Sequence, residues 1–497
     1  MGIVARQSFK AAITTYFGVV MGVINNLLIY PYMISVEQYG EVQFVLQTAT
    51  FFTPFLMLGF GTVLIKFLPI YSTARTEKER FYSLVLGAVS LNVIFFLFLA
   101  YLFSGILTSY YSDSTGVSIL SIYVLIGVSA ILPFVGLSKN FAANKGRVAI
   151  PAFFSQLIKF VLPLLVVAYY YNVIGFSALI LALLIYHLVL LIVYLLYAYK
   201  QDPFKFRKPN FSSSKIDTKS ILVFAFFSVL SGIGATLMNQ VDILMITAMK
   251  GVYQNGLYAW SLFIANAIAI PYGIIASITL PIISHKWKEN NLADINNIYK
   301  KTSSTMMVIS ICLFSSLWVV LDDIFSLMPK GDEYKFAKYV ILILCVAKII
   351  DMASGLNNQL ISMSNKYKIL LVFLSISVIL NVGLNFLLIP KLGIEGSAIA
   401  TIVSIVVFNV LKFGYLWLKY RIQPFTFKSL IIVVLGVVLV LSCSLIPKTN
   451  SHLVNVLLFS SLVGILFLTI SYKLKLAPEL NVFANKQLMR IGLKPFD

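Results

Sequence analysis

The sequence predicts an all-α integral membrane protein of about fourteen transmembrane helices, set out as two six-helix lobes and two extra C-terminal helices. Three observations predict it. Of 497 residues, 60% are hydrophobic, and the mean hydropathy is +0.93. The apolar residues fall in long runs between short turns, and a helix needs about 20 such residues to cross a bilayer. The basic residues behind the net charge of +20 collect in alternate turns. Transmembrane strands are excluded because the runs are too long and lack polar–apolar alternation.

The runs lie roughly at 10–34, 42–68, 82–108, 117–138, 148–170, 174–199, 220–247, 254–283, 303–327, 337–361, 368–389, 394–418, 429–447 and 452–472. Pro54, Pro133, Pro163 and Pro271 interrupt four of them. Helices in lipid tolerate proline where neighbours satisfy the freed carbonyls. Arg6 and Lys10 precede the first run without a small-residue cleavage site, so that run is expected to remain as the first helix. Cys312, Cys345 and Cys443 sit inside apolar runs, and neither a disulfide framework nor a metal cluster is expected.

The excess positive charge raises a nucleic-acid reading and a topological one. With the N-terminus cytoplasmic, about 29 of the 38 basic residues fall in inward turns and tails, about six outside and three within helices, as the positive-inside rule requires. The turns near 35–40, 109–118 and 169–175 hold no Lys or Arg. Topology therefore accounts for the charge, with both termini cytoplasmic and no nucleic-acid partner.

The chain carries an internal repeat. Lys139-Asn140-Phe141-Ala142-Ala143-Asn144-Lys145-Gly146-Arg147, an apolar stretch and Gly175-Phe176-Ser177-Ala178 are echoed by Ser364-Asn365-Lys366-Tyr367-Lys368, an apolar stretch and Gly393-Ile394-Glu395-Gly396-Ser397-Ala398. Glu37-Gln38-Tyr39-Gly40-Glu41 is echoed by Tyr253-Gln254-Asn255-Gly256-Leu257. The polar stretch near 200–218 joins the copies. The expected parts are an N-terminal six-helix lobe (1–210), a C-terminal six-helix lobe (216–424), an extra helix pair (425–472) and a cytoplasmic tail (473–497). Each copy has an even number of helices, so the lobes are expected to be related by a pseudo-two-fold axis along the membrane normal. Gly40 and Gly256 are read as turn residues, and Gly393 and Gly396 as the start of the twelfth helix after Pro390.

Several segments carry a family likeness. These are Val36-Glu37-Gln38-Tyr39-Gly40, Gly59-Phe60-Gly61, Val241-Asp242-Ile243-Leu244-Met245, Gly256-Leu257-Tyr258-Ala259 and Asn385-Phe386-Leu387-Leu388-Ile389-Pro390, followed by Gly393-Ile394-Glu395-Gly396-Ser397-Ala398. In this order and spacing, over about residues 5–420, the chain resembles the Wzx-type polysaccharide flippases ("polysaccharide biosynthesis proteins") of the multidrug/oligosaccharidyl-lipid/polysaccharide exporter superfamily, with its MATE-like fold. The resemblance implies a non-enzymatic flippase of the bacterial inner membrane. It would carry a polyprenyl-diphosphate-linked oligosaccharide for O-antigen, capsule or exopolysaccharide by alternating access. Membrane lipids and the polymerase and glycosyltransferase machinery are the implied partners. An ion-coupled multidrug exporter and a lipid II flippase of the same superfamily are the alternatives. A membrane polymerase or ligase would need a large external loop, which is missing.

Ionisable groups at depth usually face a partner or a wet cavity. Lys159, with Asn25, Asn26, Gln43, Gln47, Asn239, Gln240 and Asn266, is the candidate cavity set for an anionic, hydroxyl-rich head; the same amides can instead bond between helices. Lys66, Lys139, Lys145 and Arg147 are candidates for steering a diphosphate. Asp242, Lys348 and Asp351 are candidates for coupling to a proton or sodium gradient. Asp242 can equally be a paired structural carboxylate, and Lys348 and Asp351, three apart, can pair with each other. His187 is read as hydrogen-bonded locally, and Lys412 as snorkelling to the inner surface. No Walker motif, helix-borne His pair or nucleophile elbow occurs, so no catalytic residue, metal or cofactor is expected. Asp322-Asp323 resembles a metal-binding glycosyltransferase pair only superficially.

Overall fold

The computed structural model describes residues 14–15, 17–71, 75–145, 147, 149–203, 205–207, 218–364, 366 and 368–490. Among them every regular element is a helix. They are α1 (Phe17–Met33), α2 (Val36–Met57), α3 (Phe60–Tyr71), α4 (Arg75–Leu102), α5 (Ser104–Thr115), α6 (Ile119–Asn144), α7 (Ala149–Tyr170), α8 (Phe176–Gln201), α9 (Thr218–Ile268), α10 (Ile270–Lys288), α11 (Leu292–Leu327), α12 (Gly331–Lys335), α13 (Lys338–Ala353), α14 (Asn357–Met363), α15 (Ile369–Tyr420), α16 (Phe427–Ser444), α17 (His452–Lys473) and α18 (Pro478–Arg490). Arg6, Lys10, Lys208, Lys215 and Lys494, with Gly146, Asn365 and Tyr367 of the repeat, lie outside the described residues.

Nine of these helices are long and apolar enough to cross a membrane, or eleven when α2–α3 and α13–α14 each count as one span bent by 45°. Two have roughly double length. α15 has 52 residues, about 78 Å at 1.5 Å per residue, against a hydrocarbon thickness of about 30 Å. The backbone of α15 breaks at Gly393 (φ 58°), and that of α9 at Gly251 (φ 82°). Only a residue without a Cβ adopts such dihedrals at little cost. Pro390 lies three residues before the Gly393 break, where the expected twelfth helix begins.

By backbone packing the chain divides into two compact units, Met1–Gly256 and Leu257–Asp497. In the first, α3, α4 and α6 enclose an aromatic core around Leu64, Phe81, Val85 and Phe141, against which Ile221 and Ala225 of α9 pack. Ser35 opens α2 through a capping box with Gln38, with bonds of 3.1 and 3.0 Å. Glu41, buried one turn later, accepts hydrogen bonds from the Ser118 amide (2.9 Å) and the Ser121 hydroxyl (2.6 Å). It thereby fixes the N-terminus of α6 to α2, where a carboxylate is favoured by the helix dipole.

The repeated Val-x-Gln-x-Gly segments meet. A Cβ on Gly40 would lie 1.9 Å from the Val252 carbonyl oxygen, and one on Gly256 would lie 2.2 Å from that of Val36. The contact is reciprocal, and the Asn255 amide closes it by donating to the Gly40 carbonyl at 2.8 Å. This corrects the expectation that Gly40 and Gly256 are turn residues. Both lie inside helices, and close backbone approach is what requires them.

Alternate turns gather at opposite ends of each unit. In the first, Lys78 and Lys145 both pair with Asp202, the latter at 2.6 Å, and Arg75 and Arg207 both pair with Glu79 at 3.2 and 2.7 Å. Three basic connections thus converge. At the other end Gln38 donates to the Tyr169 hydroxyl at 2.6 Å, beside turns that contain no Lys or Arg. In the second unit Lys286 pairs with Glu289 and Asp294, while the Gln423 backbone N–H donates to Asn296 Oδ1 at 3.0 Å. At its opposite end Asp323 is held by Lys448, His452 and Asn455 (2.6–3.0 Å), and Asp322 by Lys338 (2.7 Å). Cations therefore occupy both carboxylates of the Asp322-Asp323 pair.

Gly40→Ala and Gly256→Ala are each expected to lower stability by about 1–3 kcal/mol, the range for overpacking. Gly87→Ala, whose Cβ would meet nothing within 4 Å, serves as the neutral control in thermal melts of the detergent-solubilised chain. Burial pushes the Asp202 carboxyl up, but bonds from Lys145 and Lys78 outweigh it and hold its pKa below the ordinary value. The stabilisation is therefore complete above about pH 4, the usual aspartate pKa, and disappears as pH falls through the depressed folded-state value. Asp202→Asn should remove about 1 kcal/mol at pH 7 and flatten the acid limb of the melting curve.

Candidate functional site

In the first unit, the polar groups at depth lie where α1, α2, α7 and α8 pack. α1 contains a π-helical turn, Asn25–Ile29, a rare distortion often found at functional positions. It presents two buried amides. Asn25 Nδ2 donates to the Lys159 carbonyl at 2.6 Å. Asn26 donates to the Gly22 carbonyl at 2.9 Å and accepts from the Tyr39 hydroxyl at 2.7 Å. Both amides therefore tie α1 to its neighbours. Gln43 and Gln47, half-buried on successive turns of α2, contact each other at 3.4 Å.

Lys159 is half-buried in α7 and Lys139 half-buried in α6. The Lys139 ammonium lies 5.8 Å from the Tyr194 ring centroid, within cation–π range. The Tyr194 hydroxyl donates to the Pro151 carbonyl at 2.7 Å. His187 bonds the Leu183 carbonyl of its own helix at 2.7 Å, matching the local role read from the sequence. Of the other steering candidates, Lys66 is exposed with its ammonium 4.0 Å from the Phe224 ring centroid. Lys145 is in the Asp202 ion pair, and Arg147 is exposed beside it in sequence. In α9, Asn239 is exposed and donates back to the Ala235 carbonyl, Gln240 is half-buried, and Asp242 is buried and engaged.

The second unit holds a polar network that the sequence reading saw only in part. The Asn357 amide donates to Asn409 Oδ1 (2.9 Å), and the Asn409 amide donates to Asp351 Oδ1 (3.0 Å). Tyr272 donates to Gln359 at 3.0 Å, and the Asp351 charge acts on both Tyr272 and Lys412. Lys348 is half-buried and engaged, whereas Asn266 is exposed. Lys412 corrects an expectation. It does not snorkel: it is 2% exposed, with its ammonium 3.8 Å from the Phe408 ring centroid. A cation so far from water needs the Asp351 charge and the ring face to offset its desolvation. The missed signal was the spacing Asn409…Lys412, two polar residues three apart on one face of an apolar helix.

Residues 6–287 match the family model described as "Polysaccharide biosynthesis protein". The chain is 28% identical over 213 residues to the "Probable low-salt glycan biosynthesis flippase Agl15" of Haloferax volcanii, a match covering 42% of this chain and 43% of that protein. This chain thus spans under half the length of the curated relative. Among solved structures, it is similar to the lipid II flippase MurJ in an inward closed conformation, with a TM-score of 0.74 at 16% identity over 93% of this chain and 98% of that one. An inward-facing multidrug resistance MATE transporter of the MOP superfamily gives a TM-score of 0.57 at 14% identity, over 85% and 98% of the respective chains. The likenesses to solved structures establish a MurJ/MATE-like fold for this multi-pass membrane protein. With more than half of its length matched by the family model, the chain belongs to the polysaccharide biosynthesis protein family.

Proposed function

We propose that this chain is a flippase that moves a polyprenyl-diphosphate-linked oligosaccharide across the bacterial inner membrane by alternating access, for assembly of a surface polysaccharide. Membership of the polysaccharide biosynthesis family carries this reading. The flippase name of the haloarchaeal relative and the lipid II flippase fold of the solved neighbour support it. In this reading the chain is a carrier of fourteen spans in two related six-helix lobes plus a terminal pair. The ends where Lys78, Lys145 and Arg207 gather in the first unit, and where Lys286 lies in the second, face the cytoplasm, as the positive-inside rule orients them. Glycosyltransferases supply its substrate there, and a polymerase consumes the product outside.

The physical task is to spare a charged, hydroxyl-rich head the passage through hydrocarbon, where each unsatisfied polar group costs several kcal/mol. Lys139 and Lys159 are the intramembrane cations of the first unit suited to a diphosphate. The amides of Gln43, Gln47 and Gln240 are suited to sugar hydroxyls, while Asn25 and Asn26 shape α1. Asp351, linked to Asn409 and near Lys412, is the stronger candidate for binding a proton or sodium ion, with Asp242 second.

A strain lacking this chain should accumulate a lipid-linked glycan on the cytoplasmic leaflet and lose the surface polymer; normal polymer in that strain would remove the reading. Complementation of a strain lacking its lipid II flippase, or drug efflux instead, would assign the alternatives. Lys159→Gln should lower transport into vesicles about tenfold, roughly 1.4 kcal/mol, at unchanged protein level. Asp351→Asn should abolish the dependence of transport on an imposed proton or sodium gradient. Asp242→Asn should retain that dependence; the opposite pattern would move coupling to Asp242.

A further inference from the structure

The first unit contains a cavity of about 370 Å³, open on one side, lined by residues of α2, α4, α5, α6 and α9. Its wall is almost wholly apolar and rich in rings: Phe44, Phe52, Phe96, Phe103 and Tyr111. It lies toward the end of the unit that holds the turns near 35–40, 109–118 and 169–175, which contain no Lys or Arg, and there the Tyr110 hydroxyl of α5 donates to the Ala248 carbonyl of α9 at 3.1 Å. Its open side is rimmed by Phe103, which is 47% exposed, beside other outward-facing apolar residues of α4 such as Phe95 and Phe98.

One polar atom on the wall is anomalous. Thr50 and Thr53 of α2 return their hydroxyls to carbonyls four residues back, at 2.8 and 3.2 Å. Thr48, on the same helix and only 4% exposed, has a hydroxyl with no partner, and it lines the cavity. Water is a poor occupant, because a buried water needs about two to four polar partners and the wall offers few. At roughly 30 Å³ per water-sized group, the space holds about a dozen carbon-sized groups.

We infer that this cavity binds part of a polyisoprenoid chain, and that Thr48 aims its hydroxyl at the double bonds of that chain. The inference rests on the flippase reading and adds a tail station in the first unit. An alkene π-cloud is a weak acceptor of the kind aromatic rings provide, whereas a saturated acyl chain offers Thr48 nothing. The ring-lined wall receives a branched hydrocarbon by dispersion contact. The location assigns this station to the membrane half opposite the basic turns, where the tail rests once the head has crossed.

The test uses the full chain in lipid nanodiscs with two photoreactive probes: a diazirine-bearing polyprenyl phosphate and a phosphatidylcholine with the diazirine in a saturated acyl chain. The polyprenyl probe is expected to label peptides of α2, α4 and α6 that carry the cavity wall. Ile126→Trp, which fills the cavity, should reduce that labelling about tenfold, equivalent to roughly 1.4 kcal/mol. Leu107→Trp at the α5 wall gives the same readout should Ile126→Trp not elute as a monodisperse protein. Thr48→Val should erase the preference for the polyprenyl probe over the acyl probe. Labelling elsewhere only, or equal labelling by both probes, would overturn the assignment. Loss of the site with glycan transport intact removes the tail station alone, whereas absence of transport by the unmodified chain removes the functional reading.

Discussion

Hydrocarbon solvates neither an amide nor an ammonium, and that constraint orders the whole molecule. It confines the backbone to helices whose bonds close internally. It sends most lysines and arginines to the turns, and it favours partners for the polar groups left at depth. The glutamate at the head of α2 shows the result: Glu41 is buried because it caps α6. Asn26 is buried because it joins its own helix to Tyr39 of the next. Where helices must come closer than side chains allow, glycine replaces them, as in the reciprocal approach of Gly40 and Gly256.

Much of this could be read in the sequence, because solvation acts on residue type before it acts on geometry. Span length and charge in alternate turns are one-dimensional properties, and the convergence of Lys78, Lys145 and Asp202 from three connections follows the partition the charges predict. The breaks at Gly251 and Gly393 were marked by glycines next to repeated segments. What could not be read is which face of a helix a residue occupies. Asn25 and Asn26 look the same in sequence whether they line water or a neighbouring helix. Lys412 was placed by its distance from the helix end, yet burial depends on the neighbours around α15, which the chain order does not reveal. The cavity beside Thr48 was invisible for the same reason: it is assembled from five helices that contribute only unremarkable apolar residues.

Two carboxylates of the second unit, the buried Asp323 and the half-buried Asp351, differ in their partners. Asp323 is gripped by two side chains able to carry positive charge, Lys448 and His452, and by the Asn455 amide. Hydrogen bonds to charged groups are worth about 1.5–3 kcal/mol each, and these tie the end of α11 to α17. Asp351 is hydrogen-bonded among the described residues by one neutral amide, that of Asn409, with the Lys412 charge nearby rather than in contact. Lys412 in turn depends on that carboxylate: neutralising Asp351 leaves a buried ammonium supported chiefly by the Phe408 face. The hydrogen bonds from Asn357 to Asn409 and from Asn409 to Asp351 link α13, α14 and α15, so in the proposed reading a change at Asp351 would reach all three helices. In the proposed ion-coupling reading, that shared network is what would carry a bound ion's effect into helix packing; the bonds of Asp323 join only α11, α17 and the turn between α16 and α17.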